Sequence, residues 1–207
     1  MAFLERYVHV STPEVYGSTQ SWTQEHLHFA PSSPYAVSRA ACDLHLMSFF
    51  NAYAFPVIFT RAANVYGPGQ NLASPYCGVV RRFADKVLNG GSAVIYGGGS
   101  HTRDFVYVDD VVDAFVGLLD IPLQGADVVN VCTGRATEIR DLAGILETVS
   151  GRSLDLRFEG DPETEVASSV GDPTKAGDRY GIEARVSIHR RGDHHQIAIE
   201  AAVVAPP

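Results

Sequence analysis

Tyr35 and Arg39 stand four residues apart in Ser33-Pro34-Tyr35-Ala36-Val37-Ser38-Arg39, a spacing that puts both side chains on one face of a helix. A phenol with an ordinary pKa of about 10 is a weak base. A cation alongside favours its phenolate, and a neighbouring hydroxyl such as Thr12 can share its proton. Such a trio could draw a proton from a sugar or alcohol hydroxyl while hydride leaves the same carbon. Glu14, in Ser11-Thr12-Pro13-Glu14-Val15-Tyr16-Gly17, adds a carboxylate that reads either as a second base or as a solvated loop acid. Alone, Tyr-x-x-x-Arg more often marks a helix-surface Tyr beside a solvated Arg, so the reading depends on what surrounds it.

The elements that must position these groups alternate. Residues 6–10 read as a short buried strand running into a polar loop. Pro34 suits the first turn of a helix carried to about Tyr53, with Leu44, Met47 and Phe50 or Asn51 at helical spacing. Phe55 to Arg61 reads as a second buried strand, and residues 64–75, with their Gly, Pro and Asn, as a loop. A helix from about Tyr76 to Leu88, a strand at Ala93 to Tyr96 and a turn at Gly97-Gly98-Gly99 follow. Asp109 is placed to cap a helix from Val111 to Leu119. A strand at Val128 to Cys132, a helix capped by Thr137 and ending near Val149, and a strand at Leu154 to Phe158 complete the pattern. This alternation predicts an α/β layered fold with a largely parallel sheet.

Composition narrows the function classes. The chain is 45% hydrophobic and 19% charged, as a packed globular core requires. A net charge of −8 argues against broad nucleic-acid or membrane-surface binding. No apolar stretch approaches the ~20 residues of a membrane helix. Cys42, Cys77 and Cys132 are scattered; they suit a reducing cytoplasm and suggest no metal site. Composition changes after about Gly160, which divides the chain into a region over residues 1–160 and a polar remainder and tail over 161–207. His189, His194 and His195 read as solvated tail residues, and Arg81-Arg82 as a solvated helix face.

Four segments in order resemble the extended short-chain dehydrogenase/reductase family, specifically its nucleotide-sugar epimerases and dehydratases. They are residues 11–17, residues 32–39, Thr60-Arg61-Ala62-Ala63-Asn64-Val65-Tyr66-Gly67-Pro68-Gly69-Gln70, and the run from Tyr96 to Val111 with Arg103-Asp104-Phe105-Val106-Tyr107-Val108 at its centre. The resemblance runs from about Tyr7 to Val186. It implies the C-terminal part of a Rossmann-type doubly wound parallel sheet with a smaller substrate-binding region. It also implies NAD as cofactor, a nucleotide-diphosphate sugar as substrate, and a homodimer formed through a helix pair that includes the Tyr35 helix. By position, Tyr35 matches the catalytic base and Thr12 the hydroxyl that positions the substrate's 4-OH. Arg39 matches a Lys that tunes the Tyr and holds the cofactor's ribose. Asn64 and Arg103 match residues that contact the nucleotide-sugar and grip its diphosphate.

The departures from the pattern bear on activity. Arg39 keeps the charge of the expected Lys but not its compact shape, which implies impaired activity. Pro13 stands where the 4,6-dehydratases carry a proton-donating Asp, while Glu14 is retained where they carry the base for the C5 proton. No Gly-rich phosphate-binding turn precedes Tyr7, and Gly97-Gly98-Gly99 is followed by a strand-like run rather than a helix. The expectation is therefore the back half of an NAD-dependent enzyme: a 4-epimerase acting through a 4-keto sugar, with a 4,6-dehydratase and a non-catalytic homologue or subunit as alternatives.

Overall fold

The central strand is β2, Val57–Ala62, whose β-branched and aromatic residues are buried almost from end to end. It lies between β1 (Tyr7–Ser11) and β7 (Ala126–Val131), parallel to both. Strands buried on both faces are what a parallel sheet with helices on each side demands. The description is of a computed structural model and covers residues 5–19, 22–122, 125–160 and 167–188.

Register decides what each face of this sheet carries. Val8 and Ile58 share a row, as do Val10, Thr60 and Val129. On that face Ile58 and Val129 pack with Leu118 of helix α3 (Val108–Asp120) and Ala176 of helix α5 (Thr174–Tyr180). Each fully buried aliphatic side chain there contributes about 1.5–3 kcal/mol. The alternate residues His9, Ser11, Phe59, Arg61 and Asn130 fall on the opposite face, which receives helix α1 (Pro34–Tyr53). The helices thus cover both faces, as expected for a doubly wound sheet. Ser11, Arg61 and Asn130 share one row near the carboxyl ends of the three strands.

The smaller region is built beyond those carboxyl ends. Helix α2 (Val79–Asn89) packs on α4 (Ile139–Ser150). Around them lie the parallel pairs β3 (Asn64–Tyr66) with β6 (Phe105–Tyr107), and β4 (Ser92–Tyr96) with β9 (Asp155–Glu159). A small sheet joins β10 (Ser168–Ser169), β5 (Thr102–Arg103) and β8 (Thr137–Glu138), its β5–β8 pair antiparallel. Phe83, Phe105, Leu142 and Leu146 are in its core. Residues beyond Gly160 contribute to this fold: β10 and α5 belong to them, and Ile188 is buried against the α2–α4 core.

Several sequence expectations are corrected. Asn64 to Tyr66 is a strand rather than loop, because it pairs with β6, a partner forty residues away that local turn signals do not reveal. Helix α2 begins at Val79, after a loop through Tyr76 that ends at Gly78. Asp109 is not a cap: β6 runs directly into α3 through Tyr107, leaving Asp109 and Asp110 in the first turn, where acids suit the helix dipole. Thr137 pairs with Arg103 in β8 instead of capping α4. The buried face of α1 is Ala36, Ala40 and Asp43, while Leu44 is 60% exposed. The Gly97–Gly99 segment is a turn, as expected.

Candidate active site

The site residues sit where the sheet's carboxyl ends meet the smaller region. β1 ends at Ser11, and Thr12 caps a 3-10 turn over Pro13–Tyr16, its Oγ1 accepting the Glu14 N–H at 3.3 Å. Pro13 opens this turn, where a missing N–H costs nothing. Thr12 is thereby buried while Glu14 is left exposed. Ser33 starts α1 in a similar way: its Oγ accepts the Ala36 N–H at 3.1 Å, with Pro34 following. Tyr35 consequently lies in the first turn of a well-capped helix, 37% exposed and so open to a ligand. The Arg39 guanidinium carbon lies 5.4 Å from the centroid of its ring, within cation–π range.

Asn64 and Arg103 are brought together by the strand crossing between β5 and β6. The Asn64 N–H and Nδ2 both donate to the Asp104 carbonyl, at 2.9 and 3.2 Å. The Asp104 carboxylate is fully buried and accepts from Thr133 N–H and Oγ1 and from Gly134 N–H. Burial pushes its pKa above the usual carboxylate range, against these hydrogen bonds. Arg103 donates to the Thr102 carbonyl at 2.8 Å.

Adjoining cavities share these side chains. One of about 290 Å³ is lined by Thr12, Glu14, Tyr35, Asn64 and Tyr76 among others. An open groove of about 730 Å³ lies beside it, bounded by Glu14, Tyr35, Ser38, Arg39, Cys42 and Tyr76. Thr12, Glu14 and Asn64 also border a cavity of about 240 Å³ that includes Arg103. Asn64 and Arg103 in turn border one of about 700 Å³ between α2 and β4, where Leu72, Phe83 and Ile95 form part of the wall. Thr12, Glu14, Tyr35, Arg39, Asn64 and Arg103 therefore all lie along one chain of cavities.

Behind this surface is a polar cluster that local sequence patterns do not reveal. Asp43 is buried; its Oδ2 accepts from Ser11 Oγ at 2.9 Å and from Arg61 Nη2 at 3.3 Å, and its Oδ1 lies 3.3 Å from His9 Nε2. Arg61 also stacks over the rings of Tyr16 and Phe29, and Tyr16 donates to Asn130. Burial raises the Tyr16 hydroxyl to about 12, outweighing the opposing effect of Arg61. Arg82 is exposed, as expected of a solvated helix face, and it also donates to the carbonyls of Cys77 and Pro75 at 2.9 and 3.1 Å. Asp110 accepts the N–H groups of Arg185 and Val186. His189, His194 and His195 lie outside the described residues. Among the described residues no cluster of His, Cys, Asp and Glu could hold a metal ion, and no helix is long and apolar enough to cross a membrane.

A parallel sheet with helices on both faces and a Tyr-bearing cleft at its carboxyl ends is the architecture of nucleotide-sugar-modifying short-chain dehydrogenases/reductases. The chain belongs to the NAD dependent epimerase/dehydratase family, whose profile matches residues 2–132. It is 34% identical to a UDP-glucose 4-epimerase of Mycolicibacterium smegmatis over 91% of this chain and 60% of that protein. It is 36% identical to the human dTDP-D-glucose 4,6-dehydratase over 98% of this chain and 61% of that protein. Among solved structures, the UDP-glucose 4-epimerase of Thermotoga maritima with UDP-glucose matches with a TM-score of 0.87 and 30% identity, over 96% of this chain and 63% of that one. The UDP-glucuronic acid 4-epimerase of Bacillus cereus, in complex with UDP-glucuronic acid and NAD, matches with a TM-score of 0.86 and 26% identity. The chain spans about 60% of the length of these relatives.

Proposed function

We propose that this chain carries the substrate-holding part of an NAD-dependent nucleotide-sugar 4-epimerase that works through a 4-keto sugar. The observation behind this reading is the convergence of Thr12, Glu14, Tyr35 and Asn64 on one cavity, from which Asn64 and Arg103 lead to a larger cavity with an apolar wall. The sugar belongs in the first, and the nucleotide in the second. Arg103 between them suits the diphosphate, because a planar guanidinium offers paired donors to phosphate oxygens.

In this reading the Tyr35 oxygen takes the proton of the sugar's 4-OH, and the Thr12 hydroxyl holds that oxygen in place. Tyr35 and Arg39, a phenol and a cation on one wall of an open groove, fit the ribose end of NAD. NAD, when bound, would supply the hydride-transfer chemistry at C4. The 4-keto sugar turns over in the cavity, and Tyr35 gives its proton back to the C4 oxygen once the other face is reduced. Arg39 lowers the rate of this cycle relative to a Lys, since its guanidinium covers the phenol ring.

One observation favours a second reading. Glu14 is exposed and borders the same cavity as Tyr35, as the C5 base of a 4,6-dehydratase would. Pro13, also at the site, has no proton to give a departing hydroxyl, which keeps the epimerase first. The Arg39 substitution supports the third possibility, a homologue that binds nucleotide-sugar without turnover.

We place the protein in a reducing cytoplasm, which suits the free thiols of Cys42, Cys77 and Cys132. A homodimer through paired α1 helices would cover the exposed Val37 and Leu44, which share a face; in that case Leu44→Glu yields monomers by light scattering. The deciding experiment incubates the 207-residue chain with NAD and either UDP-glucose or dTDP-glucose. UDP-galactose supports the epimerase. A product lighter by one water supports the dehydratase, and binding without product is the outcome shared by a substrate-holding part and a non-catalytic homologue. Failure to bind any nucleotide-sugar sinks all of these.

A further inference from the structure

Tyr76 has no part in the chemistry set out above, yet it is placed beside it. Its ring centroid lies 6.2 Å from that of Tyr35, with the planes inclined at 37°. It borders both the cavity that Tyr35 shares with Thr12 and Asn64 and the groove that Tyr35 shares with Arg39. It is 81% exposed, more than any other large hydrophobic residue described, so the fold makes little use of it as core.

The backbone that presents Tyr76 is held firmly. Arg82 donates from Nε to the Cys77 carbonyl and from Nη2 to the Pro75 carbonyl, gripping the residue on either side of Tyr76. The Tyr76 N–H donates to Ser74 Oγ at 3.2 Å, and the Cys77 N–H to the Ser74 carbonyl at 3.1 Å. Gln70 ties the start of this loop to the Val65 carbonyl at 3.0 Å. An exposed aromatic ring on a pinned backbone resembles a binding anchor, because ordering it on contact requires fixing few torsions.

We infer that Tyr76 is a positioning residue for the sugar: its ring continues the wall that Tyr35 begins, and the apolar C–H face of the hexose packs against it. At 6.2 Å the two inclined rings touch each other, so the sugar lies across them with its 4-OH toward Tyr35. Arg82 acts through Tyr76 by fixing its backbone. This inference rests on the nucleotide-sugar reading, and a differential experiment separates the two.

Calorimetry with the 207-residue chain compares UDP-glucose with UDP. Tyr76→Ala is expected to weaken UDP-glucose about tenfold, the equivalent of an ordinary aromatic contact, with UDP affinity unchanged. Tyr76→Phe keeps the ring and is expected to stay within about twofold of the wild type, and Arg82→Ala to reproduce part of the Tyr76→Ala loss. The Tyr76 side chain is exposed, so thermal melting of Tyr76→Ala should match the wild type. Equal losses for UDP and UDP-glucose, or no loss, would overturn the role of Tyr76 while leaving the nucleotide-sugar reading intact. A wild-type chain that binds neither compound overturns both.

Discussion

Arg39 lies over the face of Tyr35, its guanidinium carbon 5.4 Å from the ring centroid. A Lys at this position reaches with a compact ammonium on a flexible stem, whereas the flat guanidinium settles on the π-face. The cation thus lies over the ring face, whereas the proposed reading needs it beside the phenol oxygen. Arg39→Lys is expected to raise NAD-dependent turnover of UDP-glucose about tenfold or more, and Tyr35→Phe to lower it by roughly 10²–10⁴-fold with nucleotide-sugar affinity retained. Product formation followed by NMR, together with calorimetry, checks both. A Lys variant no faster than wild type would remove Arg39 from the account of impaired activity.

The Asp43–Arg61 pair makes a stability prediction. Both residues are nearly inaccessible, with side chains 3% and 4% exposed. Asp43→Asn leaves the Arg61 charge without its partner, and removing one member of a buried pair typically costs about 3–5 kcal/mol. Replacing both, as Asp43→Leu with Arg61→Met, is expected to cost less than Asp43→Asn alone. Urea denaturation of the variants decides this. If the double variant is the less stable one, the packing of Arg61 on Tyr16 and Phe29 outweighs its charge.

That pair also shows what a linear reading captures. The start of α1 was legible because Pro34 suits a first turn. The parallel sheet was legible because strands alternate with helices along the chain. Tyr35, Thr12, Glu14 and Asn64 were each expected at the site and do share a cavity. Asp43 and Arg61 were not legible: a buried charge makes sense only once register puts Arg61 on the α1 face, and register is a nonlocal property. The same holds for β3, which needs β6 as a partner. Leu44 and Met47 marked the helix, but their spacing did not say which face is buried, and Leu44 is 60% exposed.

Asp127 predicts a pH dependence. Burial alone would raise its pKa, but hydrogen bonds from Lys175 and Tyr180 outweigh that and hold the carboxyl below its usual range. A folded-state pKa below the unfolded value of about 3.9 means the stabilisation is fully present above that pH. It is lost as the pH falls through the lower, folded value. Asp127→Asn is expected to cost about 2 kcal/mol at neutral pH, and progressively less below pH ~4. The measurement is the urea midpoint of both proteins as a function of pH. A difference that stays constant into acid would show that the charge of Asp127 is not what α5 depends on.

Gly17 ends the 3-10 turn that carries Thr12 and Glu14, at φ 72°. A Cβ there would lie 2.2 Å from the Ala30 carbonyl oxygen. Ala30 is itself bonded back to the turn through its N–H to the Val15 carbonyl at 2.9 Å. That close approach brings the Thr12 turn against the segment leading through Pro31 and Ser33 into Tyr35. Gly17→Ala adds left-handed strain to a clash with backbone, and is expected to cost about 2–4 kcal/mol. The turn can escape only by moving away from Ala30, which separates Thr12 from Tyr35. UDP-glucose affinity should therefore fall more than UDP affinity in whatever fraction of the variant folds, as read by calorimetry at a temperature below its melting point. An Ala variant with wild-type stability would show that the turn and the α1 entrance are not coupled through this contact.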